Sequence, residues 1–89
     1  MLTPILSKKF RKDIERCQKR GYKMSSLAEI MYNLKNKIPI AGKHRQHMLK
    51  GEYEGQLECH IMPDWLLIYK ITGDKIYFTR TGTHSDLFK

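Results

Sequence analysis

Apolar positions along the 89-residue chain change their period once, near Pro39. Before it they recur at helical spacing. Phe10, Ile14 and Cys17 stand at i, i+4 and i+7, one face of a helix. Ser7 precedes them as an N-cap residue, and Gly21 follows as the residue that stops the helix. Leu27, Ile30, Met31 and Leu34 repeat the pattern, and Ser26 with Glu29 reads as a capping box. This predicts a second helix over Leu27–Lys37, ended by Pro39. Two helices joined by a few residues form an antiparallel hairpin. Ahead of them, Leu2–Leu6 is a short apolar run whose Pro4 suits only an edge strand.

After Pro39 the pattern is that of strands. His47–Lys50 is short and leads into Gly51. Gln56–Met62 is a strand stopped by Pro63. Trp65–Ile71 is a near-continuous apolar run, as in a strand buried on both faces. Gly73 and Asp74 make a tight turn, and Lys75–Thr81 alternates up to Gly82. Ser85–Phe88 is a helical turn or a tail. The order is β-α-α-β-β-β-β. The fold class is therefore α+β, one domain over residues 1–89, with the helical hairpin packed on one face of an antiparallel sheet.

Composition adds a partner class. Lysine and arginine number 17 against nine acids, a net charge of +8. The charge is segregated: Ser7–Lys23 carries +6, Lys35–Lys50 carries +5, and Gly51–Tyr69 carries −4. Clustered cations at a pI near 9.7 are the footprint of a phosphate-backbone binder, and an acidic protein would fit them equally. Cys17 and Cys59 are too few for a disulfide scaffold, and Cys17 belongs to the core. No apolar run approaches the roughly 20 residues that span a membrane. Met1–Phe10 lacks the apolar stretch of a secretory leader, so a cytoplasmic protein is expected.

All four histidines, His44, His47, His60 and His84, fall in the C-terminal half, near Glu58, Asp64 and Arg80. Histidines with a carboxylate and an arginine suit acid–base cleavage of a phosphodiester. Imidazole titrates near neutrality, and a guanidinium fork matches phosphate. His84 lies four residues after Arg80, so a strand-to-loop transition delivers both to one cleft. Trp65 and Tyr69 offer faces for a stacked base. Structural roles compete with these. His60 suits a strand interior, His44 a basic loop, and Trp65 the core. Asp64 fits a turn, and Arg80 has Glu58 or Asp64 for a partner. A zinc set drawn from His44, His47, Cys59 and His60 is disfavoured, because adjacent Cys59 and His60 point to opposite strand faces. No metal or organic cofactor is expected.

Three blocks carry a family resemblance. His47-Met48-Leu49-Lys50-Gly51 has the form H-x-L-x-G. Glu58-Cys59-His60-Ile61-Met62-Pro63-Asp64-Trp65-Leu66-Leu67-Ile68-Tyr69 has the form [DE]-x-H-x-x-P-D-W-[LI]-L-[IL]-Y. Arg80-Thr81-Gly82-Thr83-His84-Ser85-Asp86-Leu87-Phe88 has the form R-x-G-[ST]-H-x-x-L-F. Together they resemble the YafQ branch of the RelE/ParE toxin superfamily, over essentially the whole chain. The resemblance implies a type II toxin that enters the ribosomal A site and cleaves mRNA there without metal, leaving a 2′,3′-cyclic phosphate. It implies an acidic antitoxin partner, contact with ribosomal RNA, and operator DNA bound only through the antitoxin complex. By motif position the implied site is His47, His60, Asp64, Arg80, His84 and Phe88, with Glu58 and Trp65 beside it. One position departs. Relatives commonly carry arginine two residues before Cys59, where this chain has Leu57. If that arginine holds phosphate or orients the acidic residue after it, its absence weakens catalysis or shifts the load to Arg80 or Lys50.

Two other functions fit the same fold. A ParE-like toxin inhibits a protein target, as such toxins do with DNA gyrase, and has no need of the histidines. A catalytically weakened relative binds RNA or DNA with its antitoxin, and Leu57 is the feature that favours it.

Overall fold

The computed structural model describes residues 1–88. Strand β1 (Thr3–Leu6) leads into helices α1 (Lys8–Lys19) and α2 (Met24–Lys35). Then come β2 (His47–Met48), β3 (Leu57–Met62), β4 (Trp65–Thr72), β5 (Lys75–Gly82) and a last helical turn, α3 (His84–Leu87). Single 3-10 turns, Gly42–His44 and Gly51–Tyr53, flank β2. The sheet order is β1-β5-β4-β3-β2. Strands β2 to β5 form the expected antiparallel meander, while β1 lies parallel to β5 at the edge. The helical hairpin carries the chain from β1 at one edge of the sheet to β2 at the other. Pro4 sits on β1, opposite Ile76.

Helix α1 begins as its sequence dictates. The Ser7 hydroxyl accepts from the Phe10 N–H at 3.0 Å and donates to the Thr79 carbonyl at 2.8 Å. One side chain thus caps the helix and ties it to β5. At the other end Gly21 takes φ +80°, and the Tyr22 and Gly21 N–H groups close on the Cys17 and Gln18 carbonyls. That is the left-handed stop that glycine permits.

Helix α2 starts three residues before the expected Leu27. Lys23 is its N-cap, with no side-chain hydrogen bond, so the Ser26–Glu29 capping box does not form. Met24 extends the apolar stripe by one turn and packs against the core with Met31. Burying that side chain outweighs a cap worth about 1 kcal/mol. The helix ends at Lys35, short of Lys37. Lys37 takes φ +58°, and the Ile38 N–H closes on the Asn33 carbonyl at 2.8 Å.

The core has two parts, one on each face of the sheet. Under the helices, Phe10, Cys17, Leu27, Ile30 and Leu34 meet Cys59, Ile61, Trp65, Leu67, Tyr69, Ile76 and Phe78. On the other face a smaller cluster joins Tyr53, Leu66, Ile68 and Leu87. Strand β4 therefore feeds both, which is why its apolar run is unbroken.

Two register shifts interrupt the ladders. One lies in β3 between His60 and Met62. The other lies where Ile68 pairs with Arg80 but Tyr69 pairs with Phe78, leaving Thr79 unpaired. An extra residue reverses the alternation of a strand. Phe78 accordingly faces the helices while Arg80 sits across from Ile68, on the opposite face.

Candidate active site

The face away from the helices carries a rung of four paired residues. His47 pairs with Glu58, Glu58 with Ile68, and Ile68 with Arg80. The next rung is His60, Leu66 and Gly82. The Pro63–Asp64 turn of the β3–β4 hairpin and the start of α3 close one end of this face. His60 and His84 have ring centroids 5.9 Å apart, and His47 and His60 6.3 Å apart. Three of the four histidines thus form one row across β2, β3 and α3.

His84 is the most exposed member of the cluster toward α3, and Asp64 orients it. Asp64 Oδ1 accepts from the His84 backbone N–H at 3.0 Å and lies 2.6 Å from its Nδ1. Nδ1 beside a carboxylate oxygen is the donor, so Nε2 is the nitrogen turned outward. These contacts, the backbone N–H first, hold the Asp64 carboxyl below its usual range. The capping box of α3 sets the ring's base. Thr83 Oγ1 accepts from the Asp86 N–H, and Asp86 Oδ2 accepts from the Thr83 N–H.

Glu58 is buried, and its Oε1 lies 3.3 Å from Nε2 of both His47 and His60. The remaining nitrogens face backbone carbonyls, His47 Nδ1 that of Arg45 at 2.8 Å and His60 Nδ1 that of Pro63 at 3.3 Å. The resemblance placed Glu58 beside the implied site, and the structure puts it there, buried and within reach of two imidazoles. His44, read as a residue of a basic loop, ties its Nδ1 to the His60 carbonyl at 2.7 Å.

Arg80 pairs with neither Glu58 nor Asp64. Its Nε lies 2.7 Å and its Nη2 3.2 Å from the two oxygens of Asp13 in α1, and Nη1 is 3.4 Å from the Tyr53 hydroxyl. The Asp13 contact raises the Arg80 pKa further. Phe88 is 41% exposed and meets Tyr53 edge-on at 5.6 Å, with His84 at 6.3 Å. It keeps a free ring face beside the histidines.

Two sequence expectations need correction. Trp65 and Tyr69 present no face to a base. Both are buried under the helices, Trp65 with Nε1 donating to Thr81 Oγ1 at 2.9 Å and its ring against Tyr22. Burial also pushes the Tyr69 hydroxyl up to about 12. Leu57 packs with the helix-side core, on the face of Cys59 and Ile61, so an arginine there would not point at the histidines. Lys50 is exposed beside the Gly51–Tyr53 turn and forms no hydrogen bond with the described site residues. Two site residues escaped the sequence reading, Asp13 and Tyr53. The signal for Asp13 was an acid on the apolar stripe of a basic helix, three residues after Phe10. Cys59 is fully buried, with its thiol pushed up to about 12 by burial and then by Glu58. It cannot share an ion with His60. Among the described residues no group of three or more His, Cys, Asp or Glu is placed as a metal cage.

Comparison with known proteins fits this geometry. Residues 2–89 match the family described as bacterial toxin of type II toxin-antitoxin system, YafQ. The chain belongs to the YafQ toxin family. A protein of Escherichia coli K12 named mRNA interferase toxin YafQ is 40% identical over 83 residues, 92% of this chain and 90% of that protein. The crystal structure of YafQ from E. coli BL21(DE3) superposes with a TM-score of 0.94 at 36% identity, each chain covered in full. YafQ in its E. coli complex with DinJ superposes with a TM-score of 0.91 at 37% identity, again over both whole chains. The five-stranded α+β fold is therefore that of YafQ toxins. No helix among the described residues is long and apolar enough to cross a membrane.

Proposed function

We propose that this YafQ-family toxin is an endoribonuclease that cleaves mRNA in the ribosomal A site by proton transfer between side chains. The observation that carries the reading is the His84–Asp64 pair at one end of the histidine row, with Arg80 on the same face. Cleavage begins when a base removes the proton of a ribose 2′-OH. The 2′-oxygen attacks phosphorus, the bond to the 5′-oxygen breaks, and an acid protonates that leaving oxygen. The products are a 2′,3′-cyclic phosphate and a free 5′-OH. His84, held by Asp64 with Nε2 outward, makes one of the two transfers. The other falls to His47 and His60, whose ring nitrogens face Glu58 and two backbone carbonyls and must exchange one of those contacts for the substrate. Arg80 neutralises charge on the non-bridging oxygens. Phe88 offers its exposed ring to a base.

The partners follow from charge. The outer face of α1 exposes Lys8, Lys9, Arg11, Lys12 and Lys19, and the segment before β2 exposes Lys43 and Arg45. These cations grip ribosomal RNA and attract an acidic antitoxin, as DinJ partners YafQ in E. coli. Operator DNA is met only through that complex.

Primer extension on mRNA held in purified ribosomes tests the reading. A new stop inside the A-site codon is expected, absent without ribosomes. His84→Ala should lose roughly 10²–10⁴-fold in cleavage while still pelleting with ribosomes. Wild-type cleavage by that variant would remove His84 from the mechanism. Growth arrest with intact mRNA and inhibited supercoiling would favour a protein target instead.

A further inference from the structure

Asp13 is 2% exposed, inside a helix whose outer faces carry cations. It accepts four hydrogen bonds. Oδ2 takes Arg80 Nε at 2.7 Å and the Thr81 N–H at 3.1 Å. Oδ1 takes Arg80 Nη2 at 3.2 Å and Arg16 Nη2 at 2.8 Å. A buried carboxylate is tolerated only when its lone pairs are engaged in this way.

The contact with Arg80 is side-on, through Nε and one Nη. Guanidinium has five N–H groups in a fixed plane. Asp13 takes two of them, and the Tyr53 hydroxyl faces a third, on Nη1. The end-on edge, one N–H on each Nη, lies outside the Asp13 contact, and it is an edge that grips two phosphate oxygens at once. Asp13 fixes the plane of the group without occupying that edge. A free arginine would have to order several rotors at the moment of binding, and a small misplacement of a catalytic charge lowers rate steeply.

We propose that Asp13 is a positioning residue for cleavage, holding the Arg80 guanidinium so that its end-on edge meets the scissile phosphate. This rests on the phosphate-binding role proposed for Arg80. Arg80 is the link through which Asp13 reaches the reaction.

The test is a double-mutant cycle on ribosome-held mRNA with the full chain, together with side-chain NMR. Asp13→Asn should lower kcat by roughly 10²-fold with little change in KM. Arg80→Ala should lose at least as much. The double variant should be no slower than Arg80→Ala alone, because Asp13 acts through that side chain. If Asp13→Asn adds its full loss in the Arg80→Ala background, Asp13 is only structural and the proposal falls. If Arg80→Ala cleaves at the wild-type rate, the role of Arg80 itself is wrong. If Arg80→Ala is slow but Asp13→Asn is not, Asp13 alone is wrong. Should Asp13→Asn fail to fold, the wild-type chain still decides. On titration with inorganic phosphate, the Arg80 Nε–H resonance should stay in slow exchange while the Nη resonances move. Loss of the Nε–H signal would mean that phosphate displaces Asp13, and would overturn the proposal.

Discussion

One oxygen of Asp64 fixes which nitrogen of His84 stays open, because it takes both the backbone N–H and Nδ1 of that residue. Glu58, within its rung, holds Nε2 of both His47 and His60. Both carboxylates act by orienting imidazoles. Their value lies in geometry that a single-residue reading of the sequence does not display. Leu57 shows the opposite case, a position whose neighbour in sequence contacts the histidines while its own side chain faces the core. It shares the helix-side face with Cys59 and Ile61. Leu57→Arg therefore should not raise cleavage. It should lower stability by about 1–3 kcal/mol, since it places a charge against apolar neighbours. Denaturant unfolding and primer extension on the same sample measure both. Higher cleavage by Leu57→Arg would mean that this position reaches the substrate after all. The histidines, Asp64 and Arg80 were legible because their types announce their chemistry. Asp13 and Tyr53 were not, because their partner Arg80 lies 67 and 27 residues away in the chain.

At the level of elements, the unpaired Thr79 is what brings Arg80 to the face that carries the histidines. Strict alternation over Lys75–Thr81 puts Ile76, Phe78 and Arg80 together on the core side. The register shift sends Phe78 and Arg80 to opposite faces. Periodicity located the strand but could not reveal the bulge, since the residues of a bulge need no special type. The second helix shows the same limit at its boundary, where Met24 joins the core and overrides the local cap signal of Ser26. Beyond the bulge, the strand hands over to α3 at Gly82, and here the motif's glycine has a physical reason. Its φ is +154°, and a Cβ would stand 2.8 Å from Asp86 Oδ2 and 3.1 Å from Arg16 Nη2. Gly82→Ala should push Asp86 out of its cap, loosen the turn that carries His84 and Phe88, and destabilise the chain by more than about 1 kcal/mol. Cleavage should fall further than the loss of folded protein explains. An unfolding curve and a cleavage rate corrected for folded fraction separate the two effects. A variant with wild-type rate per folded molecule would show that the turn tolerates the displacement.

For the whole molecule, the basic balance is not one undivided surface. Arg16, Arg20 and Arg80 are engaged with Asp13 and Asp86, which brace α1 against β5 and α3. The cations that remain outward on α1 are mainly lysines, so the helix presents free charge on one side and braces the turn that carries His84 on the other. Composition made the excess charge legible but not this division. Pairing depends on which face of α1 meets the end of β5, and periodicity locates only the stripe. The clamp makes acid stability depend on one group above all. The Arg20 fork, then the Thr83 N–H and hydroxyl, then the charge of Arg16 hold the Asp86 carboxyl well below the usual carboxylate range, against the opposing effect of burial. A carboxyl depressed in the folded state contributes stability that is fully present above its unfolded value, near pH 4, and is lost as pH falls toward the folded value. The melting temperature should therefore drop between about pH 5 and about pH 2.5. Asp86→Asn should be less stable than wild type at pH 6 and show a shallower decline on acidification. Thermal melts of both chains across that range decide it. Parallel declines would mean that the acid sensitivity resides in other carboxylates and that the Arg20–Asp86 contact is worth little in water.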